Sequence, residues 1–136
     1  MPHRDKREVA GVVVKLLHHK RDDRGMTLIE HESRCVRRGD IHELVTTDQA
    51  GAVSGDRIDR VGFLGFIEIE SAGVVERGDA VIHKGTVLGS VLGFDECHVP
   101  NHYNILVAAP RLCTAGEIGL EVEDAVTFQN PTKKEE

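Results

Sequence analysis

The chain has no tryptophan, one tyrosine and four phenylalanines, so aromatic residues make up only 4% of it. Its core must rest on Val, Ile and Leu, and it offers nucleobases little to stack on. The cysteines, Cys35, Cys97 and Cys113, are an odd number without paired spacing, which argues against a disulfide framework and against a structural zinc site. No apolar run approaches the ~18 residues that cross a bilayer, and the stretch Met1 to Glu8 is polar with no apolar region behind its basic start. Phosphate-loop and dinucleotide glycine patterns are missing, so nucleotide cofactors have no support. No block of single-sign charge exists either. The 17 Lys and Arg are interleaved with 23 Asp and Glu for a net charge of −6, the wrong footprint for a protein that neutralises many phosphates. These absences predict a cytoplasmic protein with reduced thiols and neither nucleic acid nor membrane as partner.

What is present is β patterning. A chain of 136 residues fits one domain that buries roughly two-thirds of its unfolded surface. We expect a single β-domain over residues 1–129, with 130–136 a frayed tail. Apolar residues recur mostly at period two, and turn residues punctuate the chain. Val9 to Leu17 reads as a first strand, with Met26 to Val36 as its hairpin partner and Ile41 to Thr47 as the third. Asp48 to Asp56 reads as a loop and a candidate lid. Arg57 to Glu70 returns to strand, with Val61, Phe63, Ile67 and Ile69 on one face and Gly62 and Gly65 marking a bulge or a close backbone approach. Further strands are expected at Ala80 to His83, Thr86 to Phe94, Tyr103 to Ala109 and Gly119 to Phe128. Seven or eight strands with almost no helical periodicity predict an all-β fold, a small antiparallel barrel or tight sandwich.

Gly-Asp pairs precede β-like runs at Gly39-Asp40, Gly55-Asp56 and Gly78-Asp79, and their unequal spacing marks turns rather than a repeat architecture. In the run from Gly85 to Gly93, strand alternation would put Gly85, Gly89 and Gly93 on one face, leaving room for a packed neighbour or a ligand. The run from Gly78 to Gly89 resembles the Gly-Asp and Gly spacing of small SH3-like barrels that bind ribosomal RNA. It lacks their basic and aromatic surface, so the resemblance implies nothing about partners.

The densest chemistry lies at Phe94 to Asn104, which holds Asp95, Glu96, Cys97, His98, Asn101, His102, Tyr103 and Asn104. Alternation separates Asp95 and Cys97 from Glu96 and His98, while Pro100 favours a turn that can bring His102 back toward the strand. A carboxylate beside an imidazole suits general acid-base chemistry: His102 or His98 as acid or base, Asp95 or Glu96 as partner, and Asn101, Tyr103 and Asn104 as hydrogen-bonding groups for a substrate. Cys97 is a further substrate contact, or a nucleophile activated by His102. A second constellation, His42 and Glu43 before the 48–56 loop and Arg57, Asp59 and Arg60 after it, could hold a carboxylate or phosphate through Arg57 or Arg60. Its plainer reading is a rim of solvated ion pairs.

The sequence thus predicts a small-molecule-binding barrel, with a proton-transfer enzyme of the lyase, isomerase or cyclase kind as its working form. The alternatives are a non-catalytic ligand-binding or assembly module and a metal-dependent enzyme in which His98 and His102 bind a divalent ion. No other cofactor is expected. Because sheet edges need covering, a homo-oligomer, dimer or larger, is expected as well.

Overall fold

Runs of β-branched and leucine side chains broken by glycine and aspartate turns give the described residues regular structure that is almost entirely strand. The computed structural model describes residues 5–96 and 103–130. The strands are β1 (Val9–Leu16), β2 (Lys20–Arg21), β3 (Met26–Thr27), β4 (Ser33–Val36), β5 (Ile41–Thr47), β6 (Arg57–Ile58), β7 (Val61–Ser71), β8 (Gly73–Glu76), β9 (Ala80–His83), β10 (Thr86–Asp95), β11 (Asn104–Ala108) and β12 (Ala125–Gln129). A single 3-10 turn, Gly116–Ile118, is the helical content of the described residues. None of their helices is long and apolar enough to cross a membrane.

The main sheet runs β1-β12-β9-β10-β11-β5-β7, and β7 pairs again with β1, which closes a seven-stranded barrel. β2 continues along the first part of β7. All pairs in the ring are antiparallel except β11 with β5, which is parallel. Closure gives every ring strand two neighbours within the chain, so the edge-covering argument for oligomerisation is met internally.

Two apolar layers result. The first draws on all seven ring strands, including Val9, Val13, Leu44, Ile67, Val81, Phe94, Ile105 and Phe128, and therefore fills the barrel. The second lies outside the wall formed by β7, β5, β11 and β10. There Val45, Phe63, Leu92 and Leu106 are covered by Met26, Leu28, Ala52 and Ile58. The covering segments are themselves joined by the β3–β6 ladder and by reciprocal backbone hydrogen bonds, Leu28 N–H to Asp56 O and Gly55 N–H to Leu28 O. The loop read as a lid is thereby tied to the segment around Leu28.

Three sequence expectations are corrected by register. The run Met26 to Val36 is not one strand paired with β1: it splits into β3, paired with β6, and β4, paired with β8. Val61 and Phe63 belong to the outer layer but Ile67 and Ile69 to the barrel interior. The switch occurs at Gly65, whose φ is +146° and where a Cβ would lie 2.0 Å from the Lys15 carbonyl oxygen. Finally, Gly85, Gly89 and Gly93 do not share a strand face. Lys84 and Gly85, at φ +51° and +78°, form the two-residue hairpin between β9 and β10, the left-handed pair that such a loop requires. Register shifts between Val87 and Gly89 and between Val91 and Gly93 then reset the alternation. The space left by Gly89 and Gly93 is filled by the chain itself, through Ala108 and Leu28 respectively.

The Gly-Asp turns share one geometry. In each, the aspartate side chain accepts a hydrogen bond from the backbone N–H three residues earlier, and its own N–H returns one to that residue's carbonyl. This holds for Arg37 with Asp40, Val53 with Asp56 and Glu76 with Asp79. A fourth turn, Glu121 with Asp124, has the same bonds. It escapes the sequence pattern because Glu123 stands where the others have glycine.

Candidate functional site

β5 and β11 run parallel, and β10 returns antiparallel beside β11, so the starts of β5 and β11 and the end of β10 meet at one end of the barrel. Register places Asp95 opposite Asn104, Asn104 opposite Glu43, and Glu43 opposite Phe66. Residues opposite one another on adjacent strands share a face, so these four form a row across the wall. Val45 and Leu106, two positions on from Glu43 and Asn104, belong to the outer layer, and Leu28 packs on Gly93, two positions before Asp95. The row therefore lies on the outer face of the barrel, under the segment that carries β3.

Asp95, Asn104 and Glu43 are 3%, 0% and 5% exposed. Burial of such groups is tolerated only where hydrogen bonds replace water. Asp95 takes a 2.7 Å bond from the Thr27 N–H on one oxygen and a 3.1 Å bond from the Asn104 amide NH2 on the other. It thus ties the β3 segment to the barrel and fixes the Asn104 carboxamide. The Asn104 Oδ1 has no hydrogen-bond partner among the described residues. Glu43 forms an ion pair with the Arg24 guanidinium at 3.8 Å, and Arg24 sits over the Phe63 ring at 5.8 Å from its centroid.

A second group occupies the same end of the barrel. Tyr103 packs against the interior core and stacks on His42, with ring centroids 6.4 Å apart. The His42 Nδ1 is 3.1 Å from the Tyr103 carbonyl oxygen and 3.3 Å from its N–H, so the tautomer decides which bond forms. The Arg34 guanidinium lies 4.0 Å from the Tyr103 ring centroid and donates to Glu96 at 3.1 Å. A half-buried contact of this kind is worth about 0.5–2 kcal/mol. The polar residues around β10 and β11 therefore divide between a row of Asp95, Asn104 and Glu43 and a stack of Glu96, Arg34, Tyr103 and His42.

Of the residues expected to form the site, Cys97, His98, Asn101 and His102 lie outside the described residues, and with them the His98 and His102 metal pair. Among the described residues, no group of three or more His, Cys, Asp or Glu is placed to hold a metal ion. Arg57 and Arg60 are not brought to the row. Arg57 donates to both oxygens of Asp59, and Arg60 forms a two-pronged pair with Asp48 at 3.2 and 2.8 Å, all on the exposed rim. The Arg60 hydrogen bond holds the Asp48 carboxyl below its usual range, and Asp48 in turn raises Arg60. A shallow groove of about 300 Å³ lined by Lys20, Arg21, Asp22 and Leu112 lies elsewhere on the surface.

Sequence reasoning placed Glu43 with Arg57 and Arg60 because they are near in sequence, and it did not find Arg24, Thr27 or Arg34 as site neighbours. The parallel pairing of β5 with β11 brings Glu43 to Asn104, and no local pattern announces that pairing. The one available signal was an acid-amide pair at the ends of two predicted neighbouring strands, Asp95 and Asn104.

With the barrel and its two polar groups in view, comparison of the sequence gives one result. The chain matches a family of unknown function, DUF6917, over residues 3–129, and it belongs to that family. Neither the curated proteins nor the solved structures contain a match to it.

Proposed function

We propose that the protein binds a small polar molecule against the Asp95, Asn104 and Glu43 row and moves a proton on it, chemistry of the lyase, isomerase or cyclase kind. One observation carries this reading. Asn104 is wholly buried, with its amide nitrogen bonded to Asp95 and its Oδ1 without a partner among the described residues. A buried acceptor left over in this way calls for an incoming donor. Asp95, held on both oxygens, positions Asn104. Glu43, one strand further on, is the carboxylate for proton transfer, which such a group accelerates about 10²- to 10⁴-fold.

The test begins with a thermal-shift panel of small amines, alcohols, carbonyl compounds and carboxylates on the wild-type protein and on Asn104→Leu. Compounds that raise the melting temperature of the wild type alone are then incubated in D2O and followed by NMR. Deuterium should enter the compound in the presence of wild type and at least ~100-fold more slowly with Glu43→Gln. If a compound binds at the row but takes up no deuterium, the protein is a binding module. If no compound discriminates Asn104→Leu from wild type, the site itself is wrongly assigned.

A further inference from the structure

We propose that the open edge of β4 pairs with the same strand of a second copy of this chain, antiparallel across a twofold axis at Arg34. The pairing does not depend on the ligand reading above.

β4 stands outside the closed ring and has one strand neighbour, β8. In an antiparallel ladder alternate residues turn their N–H and C=O toward the partner strand, and the residues between turn theirs away. The Arg77 N–H donates to the Glu32 carbonyl, and this pair continues the β4–β8 register. Arg34 and Val36 therefore face β8, while Ser33 and Cys35 face outward. The far edge of β8 has the matching phase, and its outward groups are taken: the Glu76 N–H by Asp79 and the Val74 carbonyl by Lys6. The outward edge of β4 is open. The N–H and C=O groups of Ser33 and Cys35 make no hydrogen bond among the described residues, and both residues are exposed. Val36 and Val75 belong to the interior core, which anchors the ladder to the barrel. An anchored strand with open backbone groups is a template for another strand.

Charge selects which strand. Glu30 and Glu32 precede Arg34, Arg37 and Arg38 follow it, and these four flanking residues are exposed. Antiparallel pairing of two copies lays the acidic flank of each beside the basic flank of the other, whereas parallel pairing would lay like beside like. With the axis at Arg34, Ser33 of each copy meets Cys35 of the other. Each such pair exchanges both N–H···O bonds, about four bonds in all. The two Arg34 side chains meet at the axis, but each guanidinium already lies over its own Tyr103 ring and donates to Glu96.

The test is sedimentation of the full chain from about 10 μM to about 1 mM, the span suited to a small interface. Wild type should pass from monomer to dimer across that span. Cys35→Pro removes an outward N–H and leaves the β8 ladder alone. It should melt as wild type does and dimerise at least about tenfold more weakly. Arg37→Glu with Arg38→Glu should weaken the dimer too, and adding Glu30→Arg and Glu32→Arg should restore it, a rescue that a folding defect would not give. Arg34→Cys, in a chain whose natural cysteines are replaced by serine, should form a disulfide-linked dimer under mild oxidation, because opposed residues of this kind lie ~4.5 Å apart at Cα. Glu32→Cys in the same chain should not. If Cys35→Pro fails to fold, the crosslink and the charge variants carry the test. A wild type that stays monomeric up to ~1 mM overturns the proposal. So does a dimer that Cys35→Pro and the charge reversal both leave intact, because another surface must then make it.

Discussion

Replacing Glu123 with glycine should stabilise this protein. The exposed Glu123 occupies the third position of a turn whose counterparts are Gly39, Gly55 and Gly78, with φ between +91° and +94°, and Glu123 is itself held at φ +79°. Its N–H donates to the Val13 carbonyl at 2.8 Å, which fixes the residue against β1. An L-residue in the left-handed region costs about 1–2 kcal/mol through its Cβ. Glycine removes that cost but gives back roughly 0.5–1 kcal/mol in unfolded-chain entropy. The net gain is about 0.5–1 kcal/mol. At ~2.1 cal/mol/K per residue, the 136 residues have an unfolding entropy of about 0.29 kcal/mol/K, so the melting temperature should rise by ~2–4 °C. Calorimetry on Glu123→Gly beside Gly78→Ala reads both directions, because the second change puts a Cβ into the same conformation with nothing within 4 Å of it. A melting temperature unchanged or lowered in Glu123→Gly, with Gly78→Ala neutral, would refute the claim that backbone conformation controls these turns.

Two further outcomes follow from the fold. Gly65→Ala combines an unfavourable φ with a Cβ aimed at the Lys15 carbonyl, so it should cost ~3–5 kcal/mol, against about 1 kcal/mol for Gly55→Ala, where nothing lies within 4 Å; equal urea midpoints for the two variants would show that the bulge relaxes. The second concerns acid. The His83 hydrogen bond, at 2.8 Å, is the main cause that holds the Asp124 carboxyl below its ordinary value, with help from the Glu121 N–H and Lys84. A depressed carboxylate stabilises the fold fully above its unfolded pKa of ~3.9 and loses that contribution as pH falls through the lower folded value. Asp124→Asn should therefore be less stable than wild type at neutral pH, and the gap should close in urea titrations taken from about pH 5 to pH 2.5; a constant gap across that range would rule the linkage out.

How much of this was written in the sequence depends on whether the cause is local. β5 and β9 fall where alternation puts them, because neither takes an extra residue: the shift in the β5–β7 ladder skips a residue of β7, and that in the β9–β10 ladder a residue of β10. β7 and β10 are found as strands, but their faces cannot be read from alternation. Each carries extra residues, and whether Leu64, Glu70, Leu88 or Leu92 is such a residue depends on the neighbour across the ladder. The hairpin at Lys84 and Gly85 hid inside a glycine pattern that looked like one face. The division of Asp95 from Glu96 was legible, since adjacent residues on a strand point apart. The company of Asp95 was not, because Glu43 and Thr27 come from distant segments.

The ring order also sets a timetable for folding. β1, made first, lies between β7 and β12, and its second neighbour is the last strand of the barrel. The parallel partner of β5 arrives only after the chain has run through β10. Few of the ring contacts can therefore form while the chain is short, and closing such distant pairs spends loop entropy before it returns any burial. β1, rich in valine, must wait with its apolar face uncovered until most of the chain is made. Until β12 is made, one edge of β1 stays unpaired, the kind of open strand edge on which incomplete chains can associate.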